Sequence, residues 1–274
     1  MVNWTGILNL NVEKKEDKTI TKDVYFQGAF KIMRPAYLDK TGQACFYIIN
    51  PGGGYLDGDR YSMSFTLDEH AELLLTTQSA TKIYKTPNQP VVQETEILLK
   101  AGSVLEYMPD PLIAYHRARY KQKNVVRMEK GSTLIYTDIM TPGWSPDGEW
   151  FSYDSVQLKN EIYMEDKLVV FDHMKLEPEC QNMQGIGQME GFTHLGSMIV
   201  VSEKAASDFL DMLYETIDMT SQTYKIGVSS LSIPGFTLRV LATSTQQIEE
   251  IFMACHRLIR ANWFDKQPIF LRKY

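Results

Sequence analysis

Six carboxylates invite a chemical reading: Asp57, Asp59, Glu106, Asp110, Asp138 and Glu149. Most acidic side chains of a β-rich protein are simply solvated, but two of these keep unusual company. Asp59 abuts a glycine in the tight Asp57-Gly58-Asp59-Arg60 sequence, and Glu106 lies in Leu105-Glu-Tyr-Met-Pro-Asp-Pro-Leu-Ile113 among apolar neighbours. A carboxylate drawn out of water needs a partner or shifts its pKa, and either makes it a candidate for function. A pair such as Asp57 with Glu106, held at a suitable separation, would suit a hydrolase acting on carbohydrates or esters.

The second candidate is the run Thr76-Thr77-Gln78-Ser79-Ala80-Thr81-Lys82. It is too dense in small polar side chains for ordinary core. No Gly-x-Ser-x-Gly elbow surrounds Ser79, so a nucleophile is disfavoured. Such side chains can satisfy buried backbone groups or line a wet internal passage. The glycines at 52–54 lack the Lys-Ser/Thr and following helix of a phosphate loop, and read as turn formers. The five histidines and three cysteines show no zinc-binding spacing. Arg117 and Arg119, interleaved with Tyr115 and Tyr120, form a basic-aromatic patch of the kind found in protein interfaces.

The elements that must hold these groups are mostly strands. Tyr61, Met63 and Phe65 alternate with Ser62, Ser64 and Thr66, the period of a half-buried strand. Further strands are expected at 25–34, 44–49, 71–75, 92–99, 103–107, 133–138, 151–163 and 167–176, the last two joined through Glu165-Asp166. Two helices break the pattern. One is capped by Ser202 and carries Ala206, Phe209, Leu210, Leu213 and Ile217 on one face. The other starts at a Ser244/Gln247 capping box and carries Ile248, Ile251, Phe252, Cys255 and Ile259. Between them, 224–232 and 236–242 form a hairpin turning at Pro234-Gly235. The expected architecture is a single mainly-β domain over 1–274, with two late helices and no internal repeat of fixed length.

Composition narrows the partners. Hydrophobic residues are 44% and charged residues 23%, with net charge -6, ordinary for a globular chain. Without basic blocks, neither nucleic acid nor an anionic membrane is an expected partner. The N-terminal sequence has no apolar leader pattern and no run approaches membrane-spanning length. The sparse, odd cysteine count suits reduced thiols in the cytoplasm.

Taken in order, Pro51-Gly-Gly-Gly54, Gly58-Asp59-Arg60, Thr76-Thr-Gln-Ser-Ala-Thr-Lys82 and the 105–113 segment resemble the UreD family of urease accessory proteins, called UreH in some systems. The matching positions are Gly58, Asp59 and Arg60, then Thr77, Gln78, Thr81 and Lys82, then Glu106, Pro109, Asp110 and Pro111. Asp138 and Gly148-Glu149 extend the resemblance, with Trp144 standing where the family usually has Arg. Leu238-Arg239-Val240-Leu241 and the second helix continue it. The resemblance implies a β-superhelix of stacked sheets and a non-enzymatic chaperone of urease maturation. Such a protein docks on apo-urease, binds UreF and through it the GTPase UreG, and passes nickel in transit with no permanently bound cofactor. Asp59, Glu106, Asp138 and Glu149 are then expected along the nickel path. Arg60, Thr77, Gln78, Thr81, Lys82 and Asp110 are expected to support or line it. Loose oxygen ligands fit such a path better than a His/Cys cage that would trap nickel.

Overall fold

The computed structural model describes residues 3–205 and 207–271. The chain opens with an antiparallel pair, β1 (Gly6–Lys15) and β2 (Lys18–Gly28), then the short β3 (Lys31–Ile32) and β4 (Ala44–Ile49). From there it winds in coils. The first coil is β5 (Arg60–Leu67), β6 (Glu72–Thr77) and β7 (Thr81–Ile83); the next is β8 (Val91–Leu99), β9 (Val104–Tyr107) and β10 (Leu112–Ala114). A third follows as β11 (Arg119–Met128) and β12 (Thr133–Met140), then the hairpin β13 (Ser155–Met164) and β14 (Lys167–Leu176). The last elements are β15 (His194–Val201), α1 (Ser207–Thr216), β16 (Tyr224–Ser230), β17 (Gly235–Ala242) and α2 (Thr245–Phe264).

Successive coils stack into two sheets. One has the order β14-β13-β11-β8-β5-β1-β2, the other β16-β17-β15-β12-β9-β6-β4-β3. The central pairs β1/β5, β5/β8, β8/β11 and β11/β13 are parallel, as are β4/β6, β6/β9 and β9/β12. Short parallel pairings of β7 with β10, and of Leu112 with Met140, make a narrow third side. This is the stacked-sheet architecture expected from the resemblance. The strands of the first sheet begin at residues 60, 91, 119 and 155, so the coils differ in length. A structural repeat therefore exists without a fixed sequence period.

Inward residues of both sheets, including Leu8, Leu10, Phe65, Leu73, Leu99, Leu105, Leu134 and Ile162, fill the space between them. A second core lies on the outer face of the second sheet, where α1 and α2 cover Ile135, Met198, Val200, Leu238 and Val240. The second helix begins as expected: Ser244 Oγ accepts the Gln247 N–H at 3.3 Å, and Gln247 Oε1 accepts the Thr243 N–H at 3.1 Å. All five residues of its expected stripe are buried. Gly196 on β15 is what lets it dock. A Cβ there would stand 2.4 Å from Ile248 Cγ2.

Several boundaries move. Ser202 is not the cap of α1, which starts five residues later; its hydroxyl pairs with Thr133 Oγ1 at 2.8 Å. Ala206, and the end of the C-terminal segment beyond 271, lie outside the described residues. The expected strand at 25–34 is the end of β2 and all of β3, separated at Gly28, whose φ of 68° turns the chain. Phe151 and Tyr153 belong to the turn before β13 rather than to the strand. Glu165 and Asp166 do form the two-residue hairpin turn, both at positive φ. β1, β7, β10, β11 and β15 have no counterpart among the expected strands.

Candidate functional site

An enclosed chamber of about 40 Å³ lies between the two sheets, room for about three water molecules. Its polar lining comes from several coils: Thr77 at the end of β6, Thr81 on β7, Gln93 on β8, Asp110 after β9, Gln122 on β11 and Asp138 on β12. Tyr55, Tyr107, Tyr120 and Tyr136 add four phenols to the wall, and burial keeps them protonated. The period of two puts Tyr120, Gln122 and Asn124 on the inner face of β11 while Lys121 and Lys123 face water. Parallel strands usually carry apolar residues on such a face. Here the inner face is polar.

Asp138 and Asp110 are the two carboxylates of the chamber lining. Tyr136 Oη donates to Asp138 Oδ2 at 2.6 Å and Gln122 Nε2 to its Oδ1 at 3.3 Å. Burial pushes its carboxyl up to about 6, against the opposing pull of those hydrogen bonds and of Arg239. The polar network continues. Asn124 Nδ2 donates to Tyr136 Oη and to Asn160 Oδ1, both at 2.8 Å, and Asn160 Nδ2 reaches Asp172 at 3.4 Å. Asp172 is in turn paired with Arg239, which links the two sheets. Thr95 Oγ1 and Asn124 Oδ1, in register on β8 and β11, are buried without a protein partner.

Two further cavities share wall residues with the chamber. A smaller lobe of about 30 Å³ shares Tyr55, Thr77 and Thr81 with it and reaches the loops at Gly53, Ser79 and Lys82. On another side, Pro109, Asp110 and Ile139 are common to the chamber and to a groove of about 550 Å³ beside α2. Asp110 is fixed at that junction. Its N–H donates to Thr77 Oγ1 and its Oδ2 accepts from the same hydroxyl, each at 2.8 Å.

Glu106 has a different setting. Its neighbours Leu105 and Tyr107 face the inter-sheet core, so alternation turns Glu106 outward, under α2, where it is completely buried. His256 Nε2 lies 2.7 Å from Oε2, Arg260 donates to both oxygens at 2.9 and 3.1 Å, and Gln43 Nε2 donates at 2.8 Å. Burial alone would raise its pKa; the pull of His256 and Arg260, with the Gln43 hydrogen bond, holds it down at about 2. Arg260 also donates to Asp39, to Gln43 and to the Gln267 carbonyl. One guanidinium thus ties α2 to three other segments. The sequence alone gives no role to His256 or Arg260; His256 is simply one of five histidines without zinc-binding spacing.

The other expected residues are dispersed. Asp59 organises a turn: its carboxylate accepts from the Leu56 N–H, Tyr61 Oη and Thr5 Oγ1 at 2.7, 2.7 and 3.1 Å. Arg60 lies over the Trp4 ring and near Glu94. Gln78 is exposed, its N–H donating to the Ile48 carbonyl; the Lys82 carbonyl accepts from Tyr55 N–H. Glu149 is exposed in the loop before β13. Asp57 caps the Asn88-Gln89 turn at the surface, so it does not share a site with the sealed Glu106. The basic-aromatic patch also divides: Tyr120 points into the chamber, Tyr115 packs on Trp144, and Arg119 bonds the Thr86 carbonyl.

Comparison with known proteins shows the family to which the chain belongs. The family model described as UreD urease accessory protein matches residues 5–273. The chain is 55% identical over 274 residues to the urease accessory protein UreD of Lachnoclostridium phytofermentans, covering all of both chains. It is 46% identical over 270 residues to that of Bacillus sp. strain TB-90, covering 98% of this chain and 99% of the relative. With the UreD of Staphylococcus saprophyticus it shares 44% over 273 residues, 99% of this chain and 98% of the other.

Proposed function

The chain belongs to the UreD family of urease accessory proteins, and from that premise we propose that it is a non-enzymatic chaperone through which nickel passes to apo-urease. The family supports a role in urease maturation. The finer reading is supported by one observation, a polar chamber lined by Asp138 and Asp110 that shares wall residues with a lobe at the loops and with the α2 groove. Nickel is cargo in this account, not a resident cofactor.

A partly hydrated divalent cation in the chamber would meet carboxylate, hydroxyl and amide oxygens. Oxygen donors of this kind hold nickel more loosely than thiolate and imidazole sets. Asp138 supplies negative charge midway, and Asp110 with Thr77 supplies oxygens where chamber and groove meet. The tyrosines narrow the space and keep their protons. Asp59, Glu106 and Glu149 have other surroundings, which favour structural or surface roles for them over contact with the ion.

The groove beside α2 is the face we assign to UreF, and through UreF to the GTPase UreG. It is lined by Phe252, Met253, Ile269 and Phe270, the last 79% exposed, and suits an apolar helical or extended segment. The test is nickel bound per urease active site after co-expressing urease and its other accessory proteins with and without this chain. Occupancy that collapses only without the chain supports the reading; equal occupancy removes it.

A further inference from the structure

The outer face of the second sheet is covered by α1 and α2, whose apolar stripes are buried on it. The end of the first sheet is finished differently: β2 is its last strand and pairs only with β1. Coiled stacks need a polar or covered terminal unit, because an uncapped rung presents both apolar side chains and unpaired backbone groups.

That end is not capped. Phe26 and Val24 stand opposite Leu8 and Leu10 in the β1/β2 register, so they share the face that forms the core. Leu8 and Leu10 are fully buried, whereas Val24 and Phe26 are 41% and 38% exposed. Tyr25, on the opposite face, is exposed too, and Met33, Tyr37 and Leu38 follow. Thr19 at the start of β2 donates its N–H to the Gly42 carbonyl. Among the described residues, no other loop backbone bonds to the outer edge of β2. The opposite edge strand, β14, exposes Leu168 and Phe171, with the Lys159 ammonium over the Phe171 ring.

Charge says what would cover this edge. Between Lys18 and Lys40 there are five cationic and two acidic residues, in a chain of net charge -6. Lys22 pairs with Asp68 and Asp39 with Arg260, while Lys31 Nζ lies over the Phe26 ring at 5.0 Å and so puts a cation on the apolar strip itself; Arg34 and Lys40 are exposed in the segment that follows, and Asp23 is the one acidic side chain on β2. A free strand edge recognises an extended backbone, the apolar strip recognises alternating apolar side chains, and the cations recognise carboxylates.

We infer that the β2 edge is the docking site for an extended, acidic and apolar segment of the client protein, which adds to the first sheet as its next strand. The client is apo-urease, and in this the inference rests on the functional reading above. The test titrates full-length chain against immobilised apo-urease at two salt concentrations. The variants are Val24→Lys with Phe26→Lys, and Lys31→Glu with Arg34→Glu; Phe171→Ser on β14 is the control. The second pair changes only exposed side chains, so it carries the test if the first perturbs folding.

Both double variants are expected to bind about tenfold or more weakly, with Phe171→Ser unchanged. The charge reversal should also flatten the salt dependence seen with the unsubstituted chain. Unaltered affinity in folded variants overturns the assignment. A dimer of this chain that Val24→Lys with Phe26→Lys dissolves would overturn it too, since a second copy would then be the occupant. An unsubstituted chain that fails to bind apo-urease at all removes the functional reading first, and this assignment with it.

Discussion

Glu106 and Asp138 lie on adjacent strands of one sheet, β9 and β12, yet their surroundings push them in opposite directions. Glu106 faces outward under α2, is matched by Arg260 and His256, and is held at about 2. Asp138 faces the chamber, is bonded by neutral donors, and is raised to about 6. The difference lies in the partners, since Glu106 is the more deeply buried of the two and burial alone would have raised it. A carboxylate bound by a fixed guanidinium is a structural tie. One bound by a phenol and an amide beside a wet cavity keeps the capacity to meet a cation that arrives later.

The largest effect is expected from removing the tie. Glu106→Ala leaves the Arg260 guanidinium buried without its main counter-charge and should cost about 3–5 kcal/mol, read as a lower urea midpoint. If the loss is below about 1 kcal/mol, Glu106 is not what anchors α2.

The second effect separates the two carboxylates by pH. A group raised in the folded state from 3.8 to about 6 binds more protons folded than unfolded in that window, so its contribution to stability grows as pH falls from 7 towards 4. Glu106, lowered from 4.5 to about 2, contributes fully above 4.5 and loses that contribution as pH falls through about 2. Stability of the unsubstituted chain relative to Asp138→Asn should therefore rise between pH 7 and pH 5 by on the order of 1 kcal/mol. Denaturant midpoints across that range measure it, and a flat difference would show that Asp138 is not raised.

The smallest effect concerns Arg239. Its pair with Asp172 is partly exposed, so Arg239→Gln should change stability by less than about 1 kcal/mol. Because Arg239 opposes the upward shift of Asp138, its removal should move the Asp138 titration higher, as read from the carboxyl carbon by NMR. An unmoved titration would disconnect the network from the chamber.

These contrasts explain what the sequence could reveal. The hydroxyl run at 76–81 and the Tyr-Met-Pro-Asp-Pro segment are local, and Thr77, Thr81 and Asp110 do line the chamber. The α2 stripe and its capping box are also local signals, and they appear as expected. The division between Glu106 and Asp138 is not local, because Glu106 is defined by His256 and Arg260, about 150 positions away. β11 escaped for a physical reason. Its Arg-Tyr-Lys-Gln-Lys-Asn start alternates charged with neutral polar residues, not apolar with polar, because its inner face lines a polar space. β1, with Leu8, Leu10 and Val12 alternating, and β15, with its Met-Ile-Val-Val run, carry ordinary strand signals and were legible in principle.

The central claim is that nickel travels past Asp138 inside the stack. Its most direct test is nickel per urease active site after maturation with Asp138→Asn, compared with the unsubstituted chain, once the variant is shown to fold and to bind apo-urease. The account predicts a severalfold fall in nickel with partner binding unchanged. Full nickel occupancy with the Asp138→Asn chain would contradict it.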